Sequence, residues 1–369
     1  MPVINTRSSS PPASERFIVL DGMRGVAALA VVFLHIYRIA GEEWKPGLGY
    51  LAVDLFFLLS GFVLAHAYDD RLSCGLSASE FIRQRLVRMY PLYAVGLIFG
   101  LLAIAGAATI GKPYVPFFRL LVSLLFNIFF LPIPSRGMDG HAFIINFPSW
   151  SLFFEIIANA LFGLFWIRLS GVVLILITAL SFFTLTLVVI CFGTMDLGAM
   201  GNDLAGGLPR VGFGFFGGVM LYRLRALWRW RVSWVWPVAL LAAILISRPS
   251  EPLLPFVQLG VVGLLFPMLI LAGARARIGG HFAAAAEWLG AISFPIYVIH
   301  APMRIIATAL LDRLDVPPGT YPTVIFLATA LLLSALLHRF IDPMLRQALQ
   351  GPSKALLAAM SAKFKGCLK

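Results

Sequence analysis

Ile18-Val-Leu-Asp21-Gly-Met-Arg24-Gly-Val-Ala-Ala28-Leu-Ala-Val-Val-Phe-Leu-His35 opens an apolar run that extends to about residue 40. That is enough chain for one helix to cross a bilayer, which takes about 20 residues. Asp21, Arg24, Ala28 and His35 are separated by steps of three, four and seven. At about 100° per residue they share one face, with His35 about 16 Å above Arg24 along the axis. An ionisable group inside hydrocarbon costs roughly 2.5–3.5 kcal/mol on insertion scales. The stripe is therefore either a functional line, or two end residues reaching for the interface plus one satisfied histidine.

The rest of the chain supports a membrane reading. Of 369 residues, 60% are hydrophobic and 12% charged, and mean hydropathy is +0.91. A soluble domain has about 45–50% apolar and about 25% charged residues, so one water-soluble core is excluded, and so is disorder over most of the length. Three cysteines, Cys74, Cys191 and Cys367, are too few and too scattered for a disulfide framework or a CxxC metal site. The net charge of +12 falls in short segments between apolar runs. That is the positive-inside pattern and the anchoring of loops to anionic lipid, with no nucleic-acid partner expected. Residues 1–16 read as a disordered Ser/Pro-rich tail, 17–345 as one transmembrane domain and 346–369 as a basic tail. No cleavable signal is evident.

Spanning runs fall at about 18–40, 51–68, 90–110, 149–168, 171–192, 208–223, 233–248, 254–273, 288–311 and 321–341. Basic segments around Arg71–Arg88, Arg223–Arg231 and Arg275–Arg277, and the tail from Arg346, should share the cytoplasmic side. The chain must then cross an even number of times between Arg88 and Arg223. Four runs satisfy this, so 116–131, which carries Arg119 and Asn127, is read as interfacial or re-entrant. The expected fold is all-α, a polytopic bundle of about ten helices with both termini cytoplasmic.

Further polar residues cluster at two levels. Asp54 lies near the outer end of the second helix, at a depth matching His35. It is either the carboxylate that orients the imidazole, as in a triad, or a first-turn acid favoured by the helix dipole. Ser151, Glu155 and Asn159 form one hydrophilic line behind Ser149-Trp150, suited to a site or to hydrogen bonds across helices. At the inner rim Arg85 and Arg88 precede Met89-Tyr90-Pro91. They can hold phosphates, or simply set topology. Ser293, Tyr297, His300 and Arg304 share a face of a helix that Pro295 should kink. Tyr297 and His300 are site lining or a packed core pair. No HExxH, P-loop, GxSxG or dinucleotide fingerprint occurs.

Five segments in this order resemble the acyltransferase 3 family of membrane acyltransferases, which O-acylate sugars and other exported hydroxyl compounds. They are Leu20-Asp-Gly-Met-Arg24-Gly with His35, Val53-Asp54-Leu-Phe-Phe-Leu-Leu-Ser-Gly61-Phe, Arg85-Leu-Val-Arg88-Met-Tyr90-Pro91-Leu-Tyr93, Trp150-Ser151-Leu with Glu155, and Leu289-Gly290 through Tyr297 to His300. The resemblance covers about residues 17–345. It implies an acyl-CoA donor, usually acetyl-CoA, no metal, a location in the bacterial cytoplasmic (inner) membrane, and an essential His35 and Arg24. A glycan or glycolipid acceptor rests on the resemblance alone. Some members carry an extra extracytoplasmic hydrolase-like domain. This chain is too short to hold one, so a second catalytic component, if needed, is expected as a separate partner protein.

The expected mechanism follows. Arg85, Arg88 and Tyr90 meet the CoA phosphates with Arg24, and the thioester arm threads inward along the stripe. His35, oriented by Asp54 or Glu155, acts as general base on an acceptor hydroxyl. A covalent acyl-histidine is the variant route. Trp150, Ser151, Tyr297 and His300 line the acceptor side. The opposing class is a proton-coupled transporter or exporter, in which the same buried groups relay protons.

Overall fold

The computed structural model describes residues 16–41, 44, 47–111, 115–133 and 140–350. The expected tails lie outside these residues, apart from Arg16 and from 346–350, which continue the last helix. The helices are α1 (Ile18–His35), α2 (Ala52–Ser73), α3 (Ala78–Thr109), α4 (Phe117–Asn127), α5 (Ser149–Phe165) and α6 (Gly171–Phe192). They are followed by α7 (Gly207–Leu224), α8 (Val235–Ile246), α9 (Leu254–Arg275), α10 (Gly280–Leu314) and α11 (Thr320–Leu349). Among the described residues nine helices are long and apolar enough to cross a membrane. No strand occurs there, only a single bridge between His141 and Met200. The all-α polytopic bundle is what the sequence predicts.

The tenth expected crossing, 233–248, contains only the 12-residue α8, about 18 Å of helix. It still connects the two ends of the bundle. Trp234 packs on Phe282 at the start of α10 with ring centroids 5.1 Å apart. At the far end Leu48 N–H donates to the Ser247 carbonyl at 3.2 Å. Arg346 on α11 lies within electrostatic reach of Arg85 and Arg88. The described chain therefore begins and finishes at one end of the bundle, the arginine-rich one.

Local chemistry sets the helix limits. Ser77 caps α3 by accepting the Glu80 N–H at 3.2 Å, in a Ser-x-x-Glu order. Ser170 caps α6, which stops at Gly193 with φ +73°, a left-handed residue that glycine adopts without a Cβ clash. Two wide π turns, Val261–Leu265 in α9 and Leu337–Ile341 in α11, each end two residues before a proline, Pro267 and Pro343. The proline ring excludes the carbonyl four residues back, and the widened turn absorbs that clash.

Lipid tails are as apolar as leucine, so helices in a bilayer associate through close approach and polar cross-links. The parallel pair α1 and α10 meets through Gly22, Gly25 and Gly290. A Cβ at Gly25 would lie 2.5 Å from that of Leu289, and one at Gly290 would lie 2.7 Å from that of Asp21. In the α2–α7 contact, a Cβ at Gly61 would strike the Phe215 carbonyl and one at Gly218 the Leu58 carbonyl.

The segment 116–131 dips and returns. Leu120 packs beside Ala103, Ile104 and Ala107 of α3, whereas the Asn127 carbonyl accepts the Tyr93 hydroxyl at 2.5 Å. Over that descent α4 exposes Phe117, Phe118, Leu121 and Leu125. Phe130 turns the chain, with φ +59°, and stacks on Tyr93 at 3.8 Å. Residues 140–148 then run non-helically between α3 and α10. The Ile145 backbone fills the space a Cβ at Gly100 would take, and Asn146 Nδ2 donates to the Val298 carbonyl at 2.8 Å. Irregular backbone at this depth persists only where protein buries it or where it lines a cavity. Here Phe143, Ile145 and Asn146 are buried.

Candidate active site

Two polar centres lie along the α1–α10 seam. At the far end His35 and His300 face each other with ring centroids 5.3 Å apart and planes 33° from parallel. The Nδ1 of His35 lies 2.8 Å from the Val31 carbonyl, and that of His300 lies 2.8 Å from the Tyr297 carbonyl. A carbonyl only accepts, so each Nδ1 carries the proton and each Nε2 presents a lone pair. Nε2 of His300 is buried without a partner, and that of His35 makes no hydrogen bond among the described residues. Phe147 meets the His35 ring edge-on at 4.7 Å and stacks on His141 at 4.9 Å. The Arg304 guanidinium lies 5.8 Å from the Phe147 ring centroid, and its Nε is unpaired. Burial holds the His141 imidazole below the ordinary histidine value, and Arg304 pushes the same way against a weaker pull from Asp203.

The inner centre is built on Arg24. Its guanidinium donates to Asp21 at 3.0 Å, to the Ser293 hydroxyl at 3.0 Å and to the Gly290 carbonyl at 2.9 Å. Arg88 and Glu155 stand within electrostatic range of it. Arg88 is exposed and has no ion pair among the described residues, so its charge is free for a ligand. Arg85 is not: its Nε donates to Asn159 Oδ1 at 2.9 Å and its Nη2 lies 3.6 Å from Glu155. Glu155 also accepts from the Ser60 hydroxyl at 2.6 Å. Between the two centres Ser151 and Tyr297 share a 2.6 Å hydrogen bond, and the Tyr297 hydroxyl lies 3.1 Å from the Pro148 carbonyl.

The structure thus joins His35 to His300, Ser151 to Tyr297, and Arg24 to Arg88 and Glu155. It does not join either expected carboxylate to His35. Asp54, fully buried, takes the fork of Arg210 at 3.0 and 2.7 Å. That guanidinium also donates to the Leu197 carbonyl at 2.6 Å and lies 5.1 Å from the Trp150 ring centroid. A buried cation needs a charge partner at close range, and Asp54 supplies it. In place of a carboxylate, the Val31 carbonyl fixes the imidazole. Trp150 accordingly packs on this ion pair, and Tyr90 packs on Phe130 at 5.8 Å and Tyr93 at 6.2 Å.

Arg210, His141 and Phe147 were not legible as site residues. An arginine four residues into the apolar stretch 207–224 is itself an intramembrane charge, and that signal would have found Arg210. His141 and Phe147 sit on irregular backbone with no period to read.

The family model described as "Acyltransferase domain", Acyl_transf_3, matches residues 17–339. "Protein 2 in picA locus" of Rhizobium radiobacter is 40% identical over 187 residues, 47% of this chain and 94% of that protein. "Acyltransferase MdmB" of Streptomyces mycarofaciens is 35% identical over 174 residues, 43% of this chain and 41% of its own length. A "Putative O-acetyltransferase" of Staphylococcus aureus (strain COL) is 34% identical over 95 residues, 25% of this chain and 14% of its own length. No solved structure matches the chain.

Proposed function

The chain belongs to the acyltransferase 3 family, and from that premise we propose that it transfers an acyl group, acetyl first among candidates, from a CoA thioester at the arginine-rich end to a hydroxyl of a glycan or glycolipid. The arginine-rich end faces the cytoplasm of a bacterial cell, with the protein in its cytoplasmic membrane.

The observation that carries the proposal is the bare Nε2 of His35, set by the Val31 carbonyl beside the equally bare Nε2 of His300. The acceptor O–H gives its proton to His35 Nε2 while its oxygen attacks the thioester carbon. The tetrahedral intermediate then expels the thiolate, which takes that proton back, so ester and thiol leave and the imidazole is regenerated. His300 shares the proton during the interval. Arg88 and Arg24 meet donor phosphates, and Glu155, Ser60 and Asn159 keep Arg85 in place beside them. Because His35 lies about 16 Å beyond Arg24 along α1, a donor anchored at the inner end must have a long flexible arm. A pantetheine-type arm is of that kind.

The test is purified protein with radiolabelled acetyl-CoA and a crude glycan acceptor, comparing wild type with His35→Gln. Positioned proton transfer is commonly worth about 10²–10⁴-fold, and a loss of that size is expected with the fold intact. Equal transfer by the variant would sink the base assignment. Movement of a glycan across vesicles without consumption of thioester would favour the transporter class instead.

A further inference from the structure

Away from the seam, the arginine-rich end holds a hollow of about 520 Å³ into which five arginines converge: Arg16 from the start of α1, Arg225 and Arg231 from the α7–α8 connection, and Arg275 and Arg277 from the end of α9. Its volume falls within the range of about 300–1,000 Å³ usual for small-ligand sites. No acidic side chain lines it. Arg16 pairs with Asp21 at 3.2 Å and Glu287 at 3.5 Å, neither of which lines the hollow. The remaining four have no ion pair among the described residues. Arg275 donates to the Arg225 carbonyl at 3.2 Å, and Arg225 lies over the Tyr222 ring at 3.7 Å and donates to the Tyr222 carbonyl. Arg231 and Arg277 are exposed.

Topology alone requires arginines on this side of the membrane, not their convergence from three separate segments on one concavity. Like charges gathered around a hollow repel unless an anion neutralises them. Guanidinium forks match phosphate oxygens bidentately. We propose that this hollow is a phosphate-binding site for a ligand carrying two phosphate groups or an anionic headgroup, separate from the Arg24–Arg88 centre. The two are linked through Asp21, which bonds both Arg16 and Arg24. A ligand phosphate that draws Arg16 away from Asp21 would therefore alter the inner centre as well. The ligand chemistry has two sources: a second nucleotide of the donor type, held apart from the one that Arg88 and Arg24 meet and so resting on the function proposed above, or an anionic phospholipid, which does not.

Binding is measured without turnover, so its outcome is independent of the transfer assay. Full-length protein in phosphatidylcholine nanodiscs is titrated with adenosine 3′,5′-bisphosphate, and is examined by native mass spectrometry after exposure to phosphatidylglycerol. Arg231→Gln/Arg277→Gln removes two cations that support no other contact, and Arg248→Gln/Arg313→Gln removes the same charge elsewhere. Saturable nucleotide binding weakened at least tenfold by the first pair and unchanged by the second supports the site with a donor source. Retained phosphatidylglycerol lost only in the first pair supports it with a lipid source. Neither ligand bound by wild type, or both pairs behaving alike, overturns it.

Discussion

Replacing Asp54 with alanine separates the two roles open to this carboxylate. In the structure it neutralises Arg210, which is 1% exposed, through two hydrogen bonds at 3.0 and 2.7 Å. Removing one partner of such a pair leaves an uncompensated buried charge and costs about 3–5 kcal/mol. At about 2–4 °C per kcal/mol for a domain of a few hundred residues, the apparent Tm should fall by on the order of 10 °C. Asp54→Leu combined with Arg210→Met removes both charges and should recover most of that loss, because an apolar pair of similar volume often substitutes for a buried ion pair at little cost. The assay is thermal unfolding of detergent-solubilised protein followed by size-exclusion fluorescence, with wild type, Asp54→Leu, Arg210→Met and their combination closing a double-mutant cycle. In parallel, the pH profile of acyl transfer is recorded for the double variant. If Asp54 served His35, the stabilised double variant would still show a displaced profile. A normal Tm for Asp54→Ala together with a displaced profile would refute the reasoning outright.

Four other expectations can be checked directly. Gly61→Ala puts a methyl group against the Phe215 carbonyl and should cost about 1–3 kcal/mol, as overpacking does, read as a lower Tm. His300→Phe keeps the packing but removes the second lone pair. Transfer should slow while the fold survives, and an unchanged rate would remove His300 from the proton path. His141 has a depressed folded value, so its neutral form supports the fold above the unfolded histidine value of about 6.5. That support is lost as pH falls below this value, and His141→Gln should flatten the acid limb of a Tm-against-pH curve. Glu155→Gln weakens the hold on Arg85 and should raise the KM for the acyl donor more than it lowers kcat. The reverse split would place Glu155 in the chemistry.

Much of the architecture could be read in advance because a bilayer demands long apolar runs, and each run is local in sequence. Nine of the ten expected crossings and the return of the chain at 116–131 followed from length and charge, whereas 233–248 holds only a 12-residue helix. What escaped was set by contacts between distant segments. Arg210 and Asp54 are 156 residues apart, and no spacing on either helix announces the other. His35 takes its tautomer from a carbonyl four residues back, a backbone group that residue types do not encode. Phe147 and His141 lie on chain without helical or strand periodicity, held by Gly96 and Gly100 on a neighbouring helix.

The seam between α1 and α10 also bears on how the protein is made. Arg24 is synthesised well ahead of its partner, for the Ser293 hydroxyl that it bonds emerges 269 residues later. At about 5–20 residues per second, the ribosome leaves that arginine waiting roughly 15–50 seconds. For this interval α1 is an unattractive lipid resident, and only Asp21, one turn away, offsets its charge. Biogenesis therefore needs a shelter for nascent α1, either at the translocon wall or against an insertase. Ribosomes stalled before residue 280 should leave α1 crosslinked to that machinery, and those stalled after residue 314 should release it.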